Sequence, residues 1–171
     1  SYPTLAAGLL VSADTTAATF RTIPGLRPVG VNPVLVYDFG SSFIANDMSG
    51  VIAKEPPAIT RVIPTLVPRV NSDGNETSGV ASVLHQAPLG TYLGWNVQSS
   101  GFFKGQICGF TGGYVPFAVT KAEGAAAGDP RPSLEERYGT QDGYMCVVRR
   151  AAEQLVQSRF LLREDADRTV A

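Results

Sequence analysis

The hydrophobic pattern changes character near residue 132. Before it, apolar residues come in short runs broken by Pro and Gly; after it, they recur at helical spacing. In "DGYMCVVRRAAEQLVQSRF" the positions Tyr144, Val147, Val148, Ala151, Leu155 and Val156 fall three or four apart. Arg149, Arg150, Glu153 and Gln154 lie largely on the other face, which predicts an amphipathic helix. Ahead of it, Ser133 with Glu136 three residues on forms a capping box. The short helix it opens ends at Tyr138-Gly139, and "REDADRTVA" reads as a final short helix.

The earlier part predicts strands and loops. Residues 1–30 read as an extended arm, because Pro24, Gly25 and Pro28 exclude a helix through "TIPGLRP". "PVLVYDF", Pro33 to Phe39, is a short apolar strand. "GSSFIANDMSGVI" reads as a loop and "KEPPAI" as polyproline-like. "RVIPTLVPRV" is strand-like, and Pro64 and Pro68 put it at an edge because proline cannot donate to a ladder. Asp73-Gly74 inside "NSDGNETSG" is a hairpin signal, with "VASVLH" as the return strand. The Gly pairs of Gly101 to Thr120 predict two short strands joined by a tight bend.

The expected fold is therefore α+β and loop-rich: short strands and hairpins followed by a C-terminal helical segment. Residues 1–132 form a strand and loop region that wraps a partner, residues 133–171 form the C-terminal helices, and the whole is one structural unit. So much irregular backbone needs partners for its N–H and C=O groups, and a neighbouring chain or domain could supply them.

Composition narrows the function classes. The chain has 44% apolar and 17% charged residues, too apolar for disorder. A net charge of −1 leaves no electrostatic footprint for nucleic acid. No apolar run approaches the roughly 18 residues of a membrane span. The start lacks the basic region of a signal peptide, although a signal could already have been removed.

Candidate chemistry concentrates in "HQAPLGTYLGWN", His85 to Asn96, which holds the only His and the only Trp. Around it, several motifs fail. No G-x-S-x-G elbow occurs, and Ser41 and Ser42 follow Gly40 without a second Gly. "NSDGNE" puts Glu76 where a calcium loop needs Gly. Glu135 and Glu136 are adjacent on a helix and point apart, so they form no carboxylate dyad. Cys108 and Cys146 are either two buried thiols or one disulfide, and with a single His they make no zinc set. No cofactor or metal is implied. His85 has no adjacent acid and reads better as a substrate contact than as a general base.

"IPTLVPRVNSDGNETSGV", "APLGTYLGWN", "GGYVPFAVTKAEGAAAGDPRPSLEERYGTQDGY" and "RFLLREDA" stand in this order. Together they resemble the C-terminal part of a family of large bacterial alpha/beta-hydrolase-domain proteins. The earlier pieces "YPTLAAGLLVSAD", "IPGL" and "YDFG" fit the same region, so the resemblance covers nearly the whole chain. Gly124 stands where the family's T-x-A-E-R pattern has Arg.

The resemblance implies a serine-type hydrolase of carboxylic esters whose nucleophile elbow, acid and His lie upstream. This chain would complete an alpha/beta-hydrolase core supplied by an N-terminal catalytic chain or domain, and would be exported, periplasmic or extracellular. His85, Tyr92, Trp95 and Asn96 are then expected to contact a small ester substrate. Several members of the family carry no His at the position of His85, which argues against a triad base there. The alternative is a non-catalytic binding or structural module of a multi-chain assembly.

Overall fold

The structure, a computed structural model, describes residues 4–28, 30–47, 50–109 and 111–171. The chain divides into two compact units, 1–29 with 67–171 and 30–66. The described elements are mixed helices and two-stranded sheets.

In the first unit, β1 (Leu10–Ser12) leads directly into α1 (Ala13–Arg21). Ser12 caps α1 by accepting from the Thr15 N–H, with Asp14 in the first turn and Arg21 in the last, both suited to the helix dipole. The expected extended arm is thus corrected, and its first three residues lie outside the described ones. Pro24, Gly25 and Pro28 all follow Thr22, so they stop a helix instead of preventing one upstream. Phe20 and Ile23, with Leu26, form one buried hydrophobic cluster of this unit, and Val70, Leu93, Trp95 and Val115 pack against it.

The second unit is a ribbon. Its strands β2 (Val34–Asp38) and β3 (Ala58–Ile63) pair antiparallel, with an irregularity at Val36/Tyr37. Every residue of β3 is exposed. The loop between the strands is pinned by Asp38, which accepts from the Gly40 N–H at 2.8 Å and pairs with Lys54. Phe39 packs against Phe43 with the rings tilted by 36° and their centroids 4.6 Å apart.

The chain then runs through β4 (Leu66–Pro68), which pairs with β1, into the Asn71–Glu76 turn. Asn71 Oδ1 accepts from the N–H groups of Asp73 and Asn75, both at 3.0 Å. Gly74, at φ 78°, supplies the left-handed residue this turn needs. The predicted hairpin is short: Val70 bridges Glu76, and the Thr77 N–H donates to the Arg69 carbonyl. "VASVLH" is not its return strand. Gly79 (φ 83°) turns the chain away and Val83–Gln86 forms one helical turn, α2.

Strand β5 (Gly90–Leu93) follows, then β6 (Asn96–Val97), β7 (Ile107–Gly109) and β8 (Gly113–Pro116). The expected hairpin of the last two does not form, because each has an earlier partner. β7 pairs with β6, and β8 pairs with β5 through Gly90↔Pro116 to Leu93↔Gly113.

The helical tail follows its pattern closely. A further helix, α3 (Lys121–Ala127), precedes it, opened by a capping box of Thr120 and Glu123 and closed by Gly128 at φ 65°. α4 (Leu134–Tyr138) has the predicted Ser133–Glu136 box. α5 (Gln141–Gln157) buries Val148, Ala151, Ala152 and Leu155, and packs against α2, α4 and α6 (Arg163–Val170).

α5 ends in a Schellman turn. Phe160 N–H donates to the Leu155 carbonyl and Arg159 N–H to that of Val156. Arg159 holds the left-handed position at φ 63°, which costs a residue with a Cβ. Arg159→Gly is expected to stabilise the fold by about 0.5–1 kcal/mol, read as a raised urea midpoint at unchanged slope.

Candidate functional site

The best-built polar cluster of the molecule lies where the Asn71–Glu76 turn, β5, β8 and the segment before α4 meet. At its centre is Arg131, whose side chain is 1% exposed. Its guanidinium donates to both Asp129 carboxylate oxygens, to Thr91 Oγ1 at 2.8 Å, and to the carbonyls of Val115 and Pro116 at 3.0 Å each. Burial alone would push the Asp129 carboxyl up. The hydrogen bonds from the Arg131 side chain and backbone outweigh it and hold the group below the ordinary carboxylate range.

Around this pair the groups interlock. Thr91 Oγ1 donates to the Asp73 carbonyl, and Asp73 takes an ion pair from Arg137. Asn75, 1% exposed, donates to the Gly90 carbonyl at 3.0 Å and accepts from the Tyr92 N–H at 2.8 Å. The Phe117 ring receives two cations, Arg131 at 5.0 Å and Arg137 at 4.1 Å from its centroid. Among the described residues, no buried side-chain nitrogen or oxygen lacks a partner. A network so fully satisfied fixes the backbone of β5 and of the turn before it.

What it fixes is the Pro88–Leu89 corner. Three tyrosines converge on that corner. Tyr138 OH donates to the Pro88 carbonyl at 2.7 Å, Tyr114 OH donates to the Leu89 carbonyl at 2.9 Å, and Tyr92 OH accepts from the Leu89 N–H at 3.2 Å. Tyr92 stacks on Tyr114 with centroids 5.4 Å apart, and Tyr138 meets Tyr144 edge-on at 5.1 Å. Burial raises the phenols of Tyr114 and Tyr144 above their usual range and pushes Tyr138 up to about 12.

The folded chain therefore keeps a proton on Tyr138 that the unfolded chain releases from about pH 10. Its contribution to stability is complete below that value and is lost as pH rises towards 12. Tyr138→Phe is expected to flatten the alkaline limb of the unfolding profile, with the phenolate absorbance that appears near pH 12 lost in the same variant.

His85 sits beside this corner, on α2. Its ring is 5.7 Å from that of Tyr92, and its Nδ1 is 2.9 Å from Ser82 Oγ in a single hydrogen bond. A serine and a histidine in contact suggest a nucleophile and base. The geometry is that of one helical turn, though, with Ser82 at the N-cap and His85 three residues on. Among the described residues, no carboxylate bonds His85 to orient it, as a triad requires.

Of the four predicted contact residues, the structure brings two together. His85 and Tyr92 share the corner. Trp95 packs edge-on against Phe20 at 6.1 Å, as part of the first unit's core surroundings. Asn96 is exposed on β6 and its Oδ1 accepts from the Val97 N–H. For Trp95 the reason is strand alternation: Tyr92 points to one face of β5, while Thr91 and Leu93 point to the other. Cys108, on β7, and Cys146, on α5, are exposed free thiols, neither buried nor bridged.

Arg131, Asn75, Thr91, Tyr114 and Tyr138 were not singled out in the sequence. The local signal read there was the turn chemistry of "NSDGN", and it does not announce partners fifteen to sixty-four residues away.

The family model described as "Alpha/beta hydrolase domain" matches residues 36–171. No curated protein and no solved structure matches the chain. Among the described residues, no helix is long and apolar enough to cross a membrane.

Proposed function

The chain belongs to this alpha/beta hydrolase domain family, and from that premise we propose that it is the C-terminal part of a serine-type hydrolase of carboxylic esters, its nucleophile carried by an N-terminal catalytic chain or domain. The family supplies the hydrolase reading. One observation supports the need for a partner. The β2–β3 ribbon exposes the large apolar side chains of Val34, Tyr37, Ile59 and Val62. An isolated two-stranded ribbon of this kind is marginal in water, and covering it removes the cost.

In this reading the Pro88–Leu89 corner forms a wall of the substrate cleft. The hydroxyls of Tyr92, Tyr114 and Tyr138 are spent on backbone, so their rings act as fixed apolar surface. His85 Nδ1 is spent on Ser82, and Nε2 is the polar atom left to place an ester oxygen.

Labelling the native preparation with a serine-reactive fluorophosphonate, followed by peptide mapping, tests the proposal. The label is expected on a G-x-S-x-G serine outside these 171 residues. A label on Ser82 would overturn the assignment, and no labelling at all would favour the non-catalytic module. His85→Ala is expected to lower kcat/KM by about tenfold or less, mainly through KM. Loss of a true triad base costs about 10⁶, and a fall of that size with the fold intact would make His85 the base.

A further inference from the structure

We propose that the β6–β7 hairpin tip, Phe102-Phe103-Lys104, is an interfacial anchor that inserts into an anionic lipid surface. Phe102 is 95% exposed and Phe103 57%. The two rings meet edge-on at 5.0 Å, at the end of a hairpin. This is a convex apolar point and not a groove.

The tip is held in place rather than left loose. Gln98 N–H donates to the Gln106 carbonyl at 3.0 Å, and Gly105 N–H donates to that of Gln98 at 2.8 Å. Lys104 N–H donates to the Gly101 carbonyl and Gln106 N–H to that of Phe103. Gly101 and Gly105, at φ 81° and 83°, allow the two tight turns these bonds require. The phenyl groups are therefore presented to solvent before any partner arrives, which lowers the ordering cost of insertion.

Charge selects the partner. From Thr77 to Ala122 there is no Asp or Glu, and the only lysines are Lys104 and Lys121. Beside the rings stand uncharged Gln98, Ser99, Ser100 and Gln106, and Ile107 on β7 is also exposed. A protein partner would need a concave apolar pocket for two exposed rings. A lipid surface accepts them at its acyl boundary and attracts Lys104 through its headgroups, and the surrounding sequence from Thr77 to Ala122 carries no Asp or Glu to oppose it. This inference does not depend on the hydrolase reading, although an anchor of this kind would bring an ester hydrolase to apolar substrates.

Vesicle co-sedimentation tests it, using the full 171-residue chain, with its catalytic partner where the two co-purify. Vesicles of phosphatidylcholine and phosphatidylglycerol in equal parts are compared with phosphatidylcholine alone. The wild type is expected to bind the mixed vesicles more tightly. Phe102→Ser with Phe103→Ser should weaken that binding by about tenfold or more. Lys104→Gln should weaken it by about fivefold on the anionic vesicles only. All three side chains are exposed, so the thermal midpoint of each variant should stay at the wild-type value, which checks the fold. Absence of wild-type binding, or equal binding by the double Phe variant, overturns the proposal. So does a double variant that keeps vesicle binding but loses the catalytic partner, since the tip would then be a protein contact.

Discussion

Replacing Arg131 with alanine is expected to destabilise the fold by about 3–5 kcal/mol, the cost of leaving a buried ion-pair partner alone. The loss has several parts. Asp129, whose side chain is 6% exposed, would keep its charge without its cation. Thr91 Oγ1 and the carbonyls of Val115 and Pro116 would each lose a donor in a place water does not reach easily. Lysine is not expected to rescue it. One ammonium cannot reproduce a planar fork that meets a carboxylate on one side and three oxygens on the others. Chemical denaturation at neutral pH reads the change. A shift below about 1 kcal/mol would show that the cluster is not the clamp described above. The pH profile adds a second reading. Because the Asp129 carboxyl is held below its ordinary range, its contribution is present at neutral pH and is lost as pH falls through the depressed folded value. Arg131→Ala should lose that acid limb along with the stability.

This cluster also marks where sequence reasoning stops. The tail from Ser133 onward was legible because its signals are local: a capping box spans three residues and a helical stripe repeats every three or four. The same rule would have found α3, since Thr120 and Glu123 stand at capping-box spacing before an alanine run and Gly128. It would also have found α1, since Ser12 precedes "ADTTAATF" with Asp14 in the first turn. There, prolines downstream of the helix drew attention to what ended it. Strand pairing was less legible. β7 and β8 are adjacent in sequence and separated by glycines, yet each pairs with a strand before the Phe102 tip. Nothing in a two- to four-residue strand names its partner. The hub is the extreme case: Arg137 reaches Asp73 across 64 positions and Arg131 reaches Thr91 across 40. Within "HQAPLGTYLGWN", β5 divided the residues expected to act together. Tyr92 stayed with His85, and Trp95 went to the core surroundings.

Gly90→Ala is expected to cost about 3 kcal/mol or more, and to disturb the corner more than its stability loss suggests. A Cβ on Gly90 would collide with the Val115 carbonyl oxygen and lie 2.9 Å from Pro116 Cα. Both are backbone atoms of the paired strand, so no side-chain rotation relieves the contact. Gly74→Ala makes a useful comparison. There a Cβ meets side-chain atoms, the end of Ile23 at 2.9 Å and Thr91 Cγ2 at 3.0 Å, and further strain comes from φ 78°. At Gly90 the relief must come from β5 and β8 separating. That movement pulls the Val115 and Pro116 carbonyls from Arg131 and weakens the Asn75 bond to the Gly90 carbonyl. It also carries Tyr114 away from Tyr92 and Leu89. If the chain works in the proposed ester hydrolase, kcat/KM for an ester should therefore fall further in Gly90→Ala than in Gly74→Ala at equal loss of stability. Near-ultraviolet dichroism should report the tyrosine rearrangement below the unfolding transition. If the two variants lose activity in step with stability alone, the Pro88–Leu89 corner is a structural bend and the cleft lies elsewhere.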